Sequence, residues 1–272
     1  MGGPTAMVLP EEALPGRKGA MRVADKHHVL KTPMKAPWPK GAKVCVFGNG
    51  CFWGSEKGFW RLPFGIISTA VGYAGGFTPN PTYEEACSGK TGHTEAVQVV
   101  YDPSQISLVD ILRWFWEAHD PTQGMGQGHD RGTQYRSALY YFDDEQRQLC
   151  EASRDAYEAV LKEAKKGQGA ITTEIRAASD FQEVFYYGED YHQQYLAKPG
   201  ARPYCSAQPQ EVSLPPFDRW APAGLLEKHA PKLAEDFWKQ HGPKPHCVIR
   251  EPHEPIQWRR SWFRALRWPG RR

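Results

Sequence analysis

Residues Lys43 to Trp60 read KVCVFGNGCFWGSEKGFW, and the break in the middle of this stretch decides the architecture. Lys43-Val44-Cys45-Val46-Phe47 is a short apolar run, the pattern of a buried strand. Gly48-Asn49-Gly50 interrupts it, and from Cys51 to about Trp60 the chain can form a helix. A cysteine directly after Gly-x-Gly, between strand end and helix start, has two chemical advantages. Unpaired amides at a helix N-terminus stabilise a thiolate and lower its pKa, and the glycines let a substrate approach the backbone. Phe52 and Trp53 beside it could form an apolar wall for a small alkyl group. The same residues also describe an inert buried cysteine in a turn, with two aromatic core anchors. The stretch alone leaves both accounts open.

Working outward, Gly65 to Tyr73 is β-branched and reads as a second strand, ended by Ala74-Gly75-Gly76. Thr94 to Tyr101 is a third, stopped by Asp102-Pro103. Ser107 caps an amphipathic helix to about His119, with Leu108, Ile111, Leu112, Phe115 and Trp116 on its apolar face. The Gly-rich loop from Asp120 to Gly132 is too long to be mere connection. Ser137 to Phe142 reads as a strand, and Asp143-Asp144 opens a charged helix through about Lys165. Ile175 and Phe185 mark short strands, and Glu189 to Leu196 reads as a helix that stops before Pro199. This irregular alternation, with close-spaced strand pairs, suits a mixed α+β or α/β sandwich rather than a repetitive barrel.

Composition narrows the class. The chain has 272 residues, 40% hydrophobic and 24% charged, as in ordinary globular proteins, and its net charge of +3 is too small to argue for nucleic acid. No apolar run approaches the roughly 18 to 20 residues of a membrane span, and Met1 to Ala20 lacks a signal-peptide core. The expected compartment is the cytoplasm. The six cysteines are widely separated, without a CxxC pair or zinc-like spacing, so neither a disulfide framework nor a metal site is expected. Three regions follow: an extended, Pro/Lys/Gly-rich arm over 1–40, a catalytic domain over 41–205, and a C-terminal extension over 206–272. The extension is Pro-rich first, then rich in Arg and Trp.

Gly50-Cys51-Phe52-Trp53-Gly54 resembles the signature of A-type peptide methionine sulfoxide reductases. Other segments carry the same likeness in the same order: Val71 to Gly76 (VGYAGG), Pro81 to Gly89 (PTYEEACSG), and Thr91 to Val97 (TGHTEAV). Asp130 to Ser137 (DRGTQYRS) and Tyr191 to Leu196 (YHQQYL) complete it. The resemblance runs from about Ala13 to Cys205. It implies a two-layer α/β sandwich with a mixed, ferredoxin-like sheet. It also implies reduction of methionine-S-sulfoxide in proteins and as the free amino acid, repair of oxidative damage, no organic or metal cofactor, thioredoxin as external reductant, and a monomer.

The resemblance assigns roles that the residues can bear chemically. Cys51 is the thiol that attacks the sulfoxide sulfur and becomes a sulfenic acid as reduced methionine is released. Glu95 is the acid that protonates the oxygen, and Tyr83 and Tyr135 hydrogen-bond it. Phe52 and Trp53 enclose the methyl group. Asp130 and His192 stand near the substrate, although a solvated loop aspartate and a core-bonded histidine fit those residues as well. Cys205 occupies the place of the resolving thiol, followed by a disulfide that thioredoxin opens. Many bacterial relatives carry a further cysteine just before Leu-Pro-Pro. This chain has Ser213 before Leu214-Pro215-Pro216, leaving Cys247 as the remaining downstream thiol. Cys45, Cys87 and Cys150 read as structural. The end, Trp258 to Arg272, interleaves Arg with Trp and Phe and could contact anionic lipid, nucleic acid or a partner, or simply drape over the surface. Two rivals share the residues: a thiol peroxidase, and a binding protein for oxidised methionine that needs no Cys51 chemistry.

Overall fold

A computed structural model describes residues 3–258, with the side chain of Cys247 excepted. Its centre is β1 (Lys43–Asn49), followed by α1 (Phe52–Trp60) and β2 (Ile66–Ala74). Next come the short helix α2 (Tyr83–Cys87), β3 (Thr94–Tyr101) and α3 (Leu108–Glu117). A two-residue-strand hairpin, β4 (Gly126–Gln127) and β5 (Asp130–Arg131), precedes β6 (Ser137–Tyr141). Then follow α4 (Asp144–Glu163), β7 (Glu174–Ala177) and β8 (Phe185–Tyr187).

The six-stranded sheet has the order β7-β6-β1-β3-β2-β8. β1 is antiparallel to β3, with Cys45 opposite Val99, and to β6, with Phe47 opposite Leu139. β2 is antiparallel to β3 in turn. Therefore β1 and β2 run parallel with β3 inserted between them, and β3 and β6 run parallel with β1 inserted. Two interleaved split β-α-β units result, the ferredoxin-like arrangement, and the parallel β6–β7 pair makes the sheet mixed. β1 sits mid-sheet and is buried on both faces, which is why its apolar run does not alternate with polar residues.

Side chains of successive β1 residues go to opposite faces. Cys45 and Phe47 join the larger core against the helices, whereas Val46 joins a smaller one with Met34 and Phe185. α3 begins with Ser107 accepting from the Val109 amide, while Asp110 accepts from the Ser107 amide. All five apolar residues expected on its inner face are buried. On the same side of the sheet, Cys45 Sγ donates to the Tyr140 carbonyl at 3.4 Å. The Cys150 thiol of α4 bonds Cys45, and that bond together with burial holds its pKa well above the usual thiol range.

Both terminal regions are packed over their described residues. Along the arm, the Leu14 amide bonds the Lys90 carbonyl, His27 bonds Thr69 at 2.8 Å, and Met34 is 1% exposed. Beyond residue 205, Leu214, Phe217, Leu225 and Leu233 belong to the larger core. So do Phe237 and Trp238 of α5 (Glu235–His241) and Val248 of α6 (Cys247–Arg250). The boundary near 205 is thus not a break in packing.

One expected helix is absent. Glu189 to Leu196 forms turns, with Gln194 in the left-handed region at φ 49° and a 3-10 turn over Tyr195–Ala197. Competing bonds account for it. The Gln194 amide donates to Glu56 Oε2 at 2.7 Å, and the Gln193 side chain bonds both the amide and the carbonyl of Val71. Among the described residues no helix is long and apolar enough to cross a membrane. The Arg-rich end from residue 259 onward lies outside the described residues.

Candidate active site

The chain leaves β1 through Gly50, whose φ of +89° belongs to the left-handed region and suits glycine. A Cβ there would also stand 2.7 Å from the Gln127 side chain of the β4–β5 hairpin. The turn delivers Cys51 as the N-cap of α1. Glu95, second residue of β3, reaches across and accepts the Phe52 amide at 3.0 Å. Strand pairing and helix start thus bring a thiol and a carboxyl to one spot.

An open pocket of about 210 Å³ lies over them. Cys51 and Glu95 line it together with the aromatic side chains of Phe52, Trp53, Tyr83 and Tyr135. Asp130 and the segment carrying Arg202 and Tyr204 complete it. Seven of the nine sequence-expected residues therefore line one cavity: Cys51, Phe52, Trp53, Tyr83, Glu95, Asp130 and Tyr135, whereas His192 and Cys205 do not.

Glu95 is 2% exposed, and burial raises its pKa from 4.5 to about 8, against the pull of the Phe52 amide. At neutral pH it is a carboxylic acid able to donate a proton. Cys51 departs from the sequence expectation. Its thiol pKa is raised, first by burial and then by the Glu95 charge, while the Trp53 amide pulls it the other way. The helix start does help the thiolate, but its first amide is already given to Glu95, and desolvation outweighs the rest. Burial likewise holds the hydroxyl pKa values of Tyr83 and Tyr135 far above the usual tyrosine range, so both remain O–H donors.

His192 stands behind the walls. It is 1% exposed, and burial lowers its pKa to about 4. Its neutral ring accepts Trp53 Nε1–H at Nδ1, 3.0 Å away, and packs on Phe52 and Tyr83. The placement matches the core-bonded account rather than substrate contact. Asp130 is 3% exposed. Its Oδ1 accepts the Tyr204 hydroxyl at 2.6 Å, and its Oδ2 has no protein partner.

Cys205 is near the front of α1. A Cβ on Gly54 would lie 2.8 Å from Cys205 Sγ, so the second glycine of the Cys51 motif makes room for the second thiol. Val248 of α6 closes in on the same point, at 3.4 Å. The side chain of Cys247 itself lies outside the described residues. Sequence reasoning missed Gly54, Tyr204 and Arg202 as parts of the site, although Gly54 sat inside the quoted motif and Tyr204 adjoined Cys205. It also missed Glu189, which accepts the Tyr83 amide and the Tyr73 hydroxyl, and Tyr195, stacked on Trp53 with ring centroids 3.9 Å apart. Among the described residues no group of three His, Cys, Asp or Glu side chains could hold a metal ion.

A nucleophilic sulfur facing a buried acid that is still protonated at neutral pH suits the thiol oxidoreductases, where sulfur attack and proton delivery occur at one substrate group. Comparison with known proteins selects within that class. The family model described as peptide methionine sulfoxide reductase matches residues 43–216. The MsrA of Salinispora arenicola is 57% identical over 212 residues, covering 77% of this chain and 92% of that protein. A Synechocystis relative named MsrA 1 is 55% identical over 79% of this chain and 93% of its own length. Among solved structures, methionine sulfoxide reductase A of Corynebacterium diphtheriae superposes with a TM-score of 0.67 at 43% identity, covering 74% of this chain and 93% of that one. This chain belongs to the peptide methionine sulfoxide reductase family, type A, and is an oxidoreductase.

Proposed function

We propose that the enzyme reduces methionine-S-sulfoxide in oxidised proteins and peptides, as a monomer in the cytoplasm, through a sulfenic acid on Cys51. The observation that carries this reading is the buried Glu95 carboxyl, its pKa pushed up to about 8, lining one pocket with the Cys51 thiol and the aromatic Phe52 and Trp53. The sulfoxide methyl packs against Phe52 and Trp53. The oxygen lies toward Glu95, Tyr83 and Tyr135. As Cys51 sulfur bonds to the substrate sulfur, Glu95 protonates the oxygen and takes back the Cys51 proton; the hydroxyl then moves to Cys51 sulfur as the S–O bond and the transient S–S bond break. The net step converts Cys51–SH and the sulfoxide into Cys51–SOH and the thioether.

Cys205 then condenses with Cys51–SOH, releasing water and forming a disulfide. The approach of Cys205 Sγ to α1 at Gly54 supports this pairing. With Ser213 in place of a further cysteine, the disulfide passes directly to the dithiol of thioredoxin. His192 acts as a positioning residue that fixes the Trp53 ring.

The test is dithiothreitol-driven reduction of S- and R-methionine sulfoxide peptides by the wild type and Cys51→Ser. Turnover of the S epimer alone, lost in the variant, is the expected result. Absence of turnover by folded, reduced wild type overturns the reading. Rapid peroxide consumption without sulfoxide turnover would instead favour a thiol peroxidase.

A further inference from the structure

We infer that Arg202 is a specificity residue that selects oxidised methionines carrying a carboxylate close by. That carboxylate is either a neighbouring acidic side chain or the methionine's own terminal carboxylate. The inference rests on the sulfoxide-reductase reading above and adds a preference to it.

Among the described residues Arg202 is the one cationic side chain in the pocket lining, and it is exposed. Two aromatic contacts hold it in place. Its amide donates to the Tyr195 hydroxyl at 3.0 Å, and Tyr195 stacks on Trp53, the expected methyl wall. Its guanidinium lies 5.7 Å from the centroid of Tyr204, whose hydroxyl is tied to Asp130. Among the described residues no carboxylate pairs with the guanidinium. The nearby acids are otherwise engaged or shielded. Glu189 is occupied by Tyr83 and Tyr73, Glu95 is buried and protonated at neutral pH, and Asp130 is buried under Tyr204. Lys198, four residues earlier, donates to the Asp190 carbonyl and adds positive charge on the same segment.

The planar guanidinium offers a fork of N–H donors that matches a carboxylate, and the partly apolar edge lessens screening by water. A substrate whose sulfoxide enters the pocket brings its flanking residues to the edge, within reach of this fork. A flanking cation would meet repulsion there.

The test uses dithiothreitol as reductant, so neither Cys205 nor thioredoxin enters the readout. Blocked peptides with Glu, Gln or Lys beside methionine-S-sulfoxide are compared by kcat/KM, together with N-acetylmethionine-S-sulfoxide and its methylamide. One partly exposed ion pair predicts a Glu-over-Lys preference of about three- to tenfold, shrinking at high salt. Arg202→Ala should bring the ratio close to one, and Arg202→Glu should reverse it. Because the ratio is taken within each variant, a general loss of activity or stability leaves the answer legible. A preference for the Glu peptide alone assigns the side-chain source. A preference for the free acid over its methylamide assigns the terminal carboxylate. Equal rates for all substrates in the wild type, or a preference that survives Arg202→Ala, overturn the inference while leaving the reductase reading intact. No turnover of any sulfoxide would instead remove the reading on which it rests.

Discussion

The two ends of α1 treat polar groups in opposite ways. At its start, burial pushes the Glu95 pKa up to about 8 and raises the Cys51 thiol, and Asp130 Oδ2 and His192 Nε2 are buried without hydrogen-bond partners. At its end, nearly every polar group is tied down by the C-terminal segment. Lys57 Nζ, 1% exposed, donates to the Glu251 carbonyl at 2.8 Å, and Trp60 Nε1 donates to the His253 carbonyl at 2.7 Å. Arg61 pairs with Glu251 at 3.1 Å, and its carbonyl accepts the Ile256 amide at 2.8 Å, leaving Arg61 Nε alone unbonded. One helix therefore has a reactive front held by a satisfied rear. Unpaired buried groups cost stability, and one of them, Asp130 Oδ2, belongs to a residue of the pocket lining where substrate can engage it.

The sharpest way to break this contrast is at the front. Glu95→Gln should slow dithiothreitol-driven sulfoxide reduction by about 10² to 10⁴-fold. Wild-type activity should decline as pH rises through about 8, where the Glu95 proton is lost, and the variant should lack that limb. Stability carries the same signature. The folded pKa lies above the ordinary 4.5, so between about 4.5 and 8 the native state keeps a proton that the unfolded chain releases. Wild-type stability should fall with rising pH across that window, whereas Glu95→Gln should flatten the slope in urea unfolding.

At the rear, changes should cost stability and leave the pH profile in place. Phe237→Ala empties a fully buried site in the core and should cost about 3–5 kcal/mol, lowering Tm by about 10 °C in a thermal melt. A marginal loss would mean that the extension merely rests on the domain. Lys57→Met should cost about 1–3 kcal/mol through its bonds to Glu251 and His253, measured by chemical denaturation. Glu251→Gln should cost less than about 1 kcal/mol, because its carboxylate is 46% exposed. If any of these rear changes moved the alkaline limb of the activity profile, the two ends would not be separable.

Much of the site was legible because its parts are short-range chemistry. Gly50-Cys51 needs only a tight turn at a strand end, and Ser107 caps its helix through its own neighbours. The central strands were legible from β-branched and apolar runs. What failed depended on partners distant in sequence. Glu189 to Leu196 has local helical character, yet Glu56 and Val71 take its glutamines and break the helix. The Cys51 prediction weighed helix amides that the sequence places beside it but not the burial that the folded pocket imposes. His192 could be matched to a motif, though not to a side of the wall. The packing of the extension was not legible because its anchors, among them Leu214, Phe217 and Phe237, are spaced without helical or strand period. Their periodicity is that of the surface they cover.

The buried sulfur pair of Cys45 and Cys150 gives the molecule an internal clock. Both are fully buried, whereas Cys51, Cys87 and Cys205 are partly exposed. An alkylating reagent applied to the reduced, native protein meets the outer thiols through local openings and reaches the inner pair only when the sheet and α4 separate. The mass-resolved labelling rate of Cys45 and Cys150 then reports how often the whole fold opens, on the same chain whose outer thiols record the working cycle.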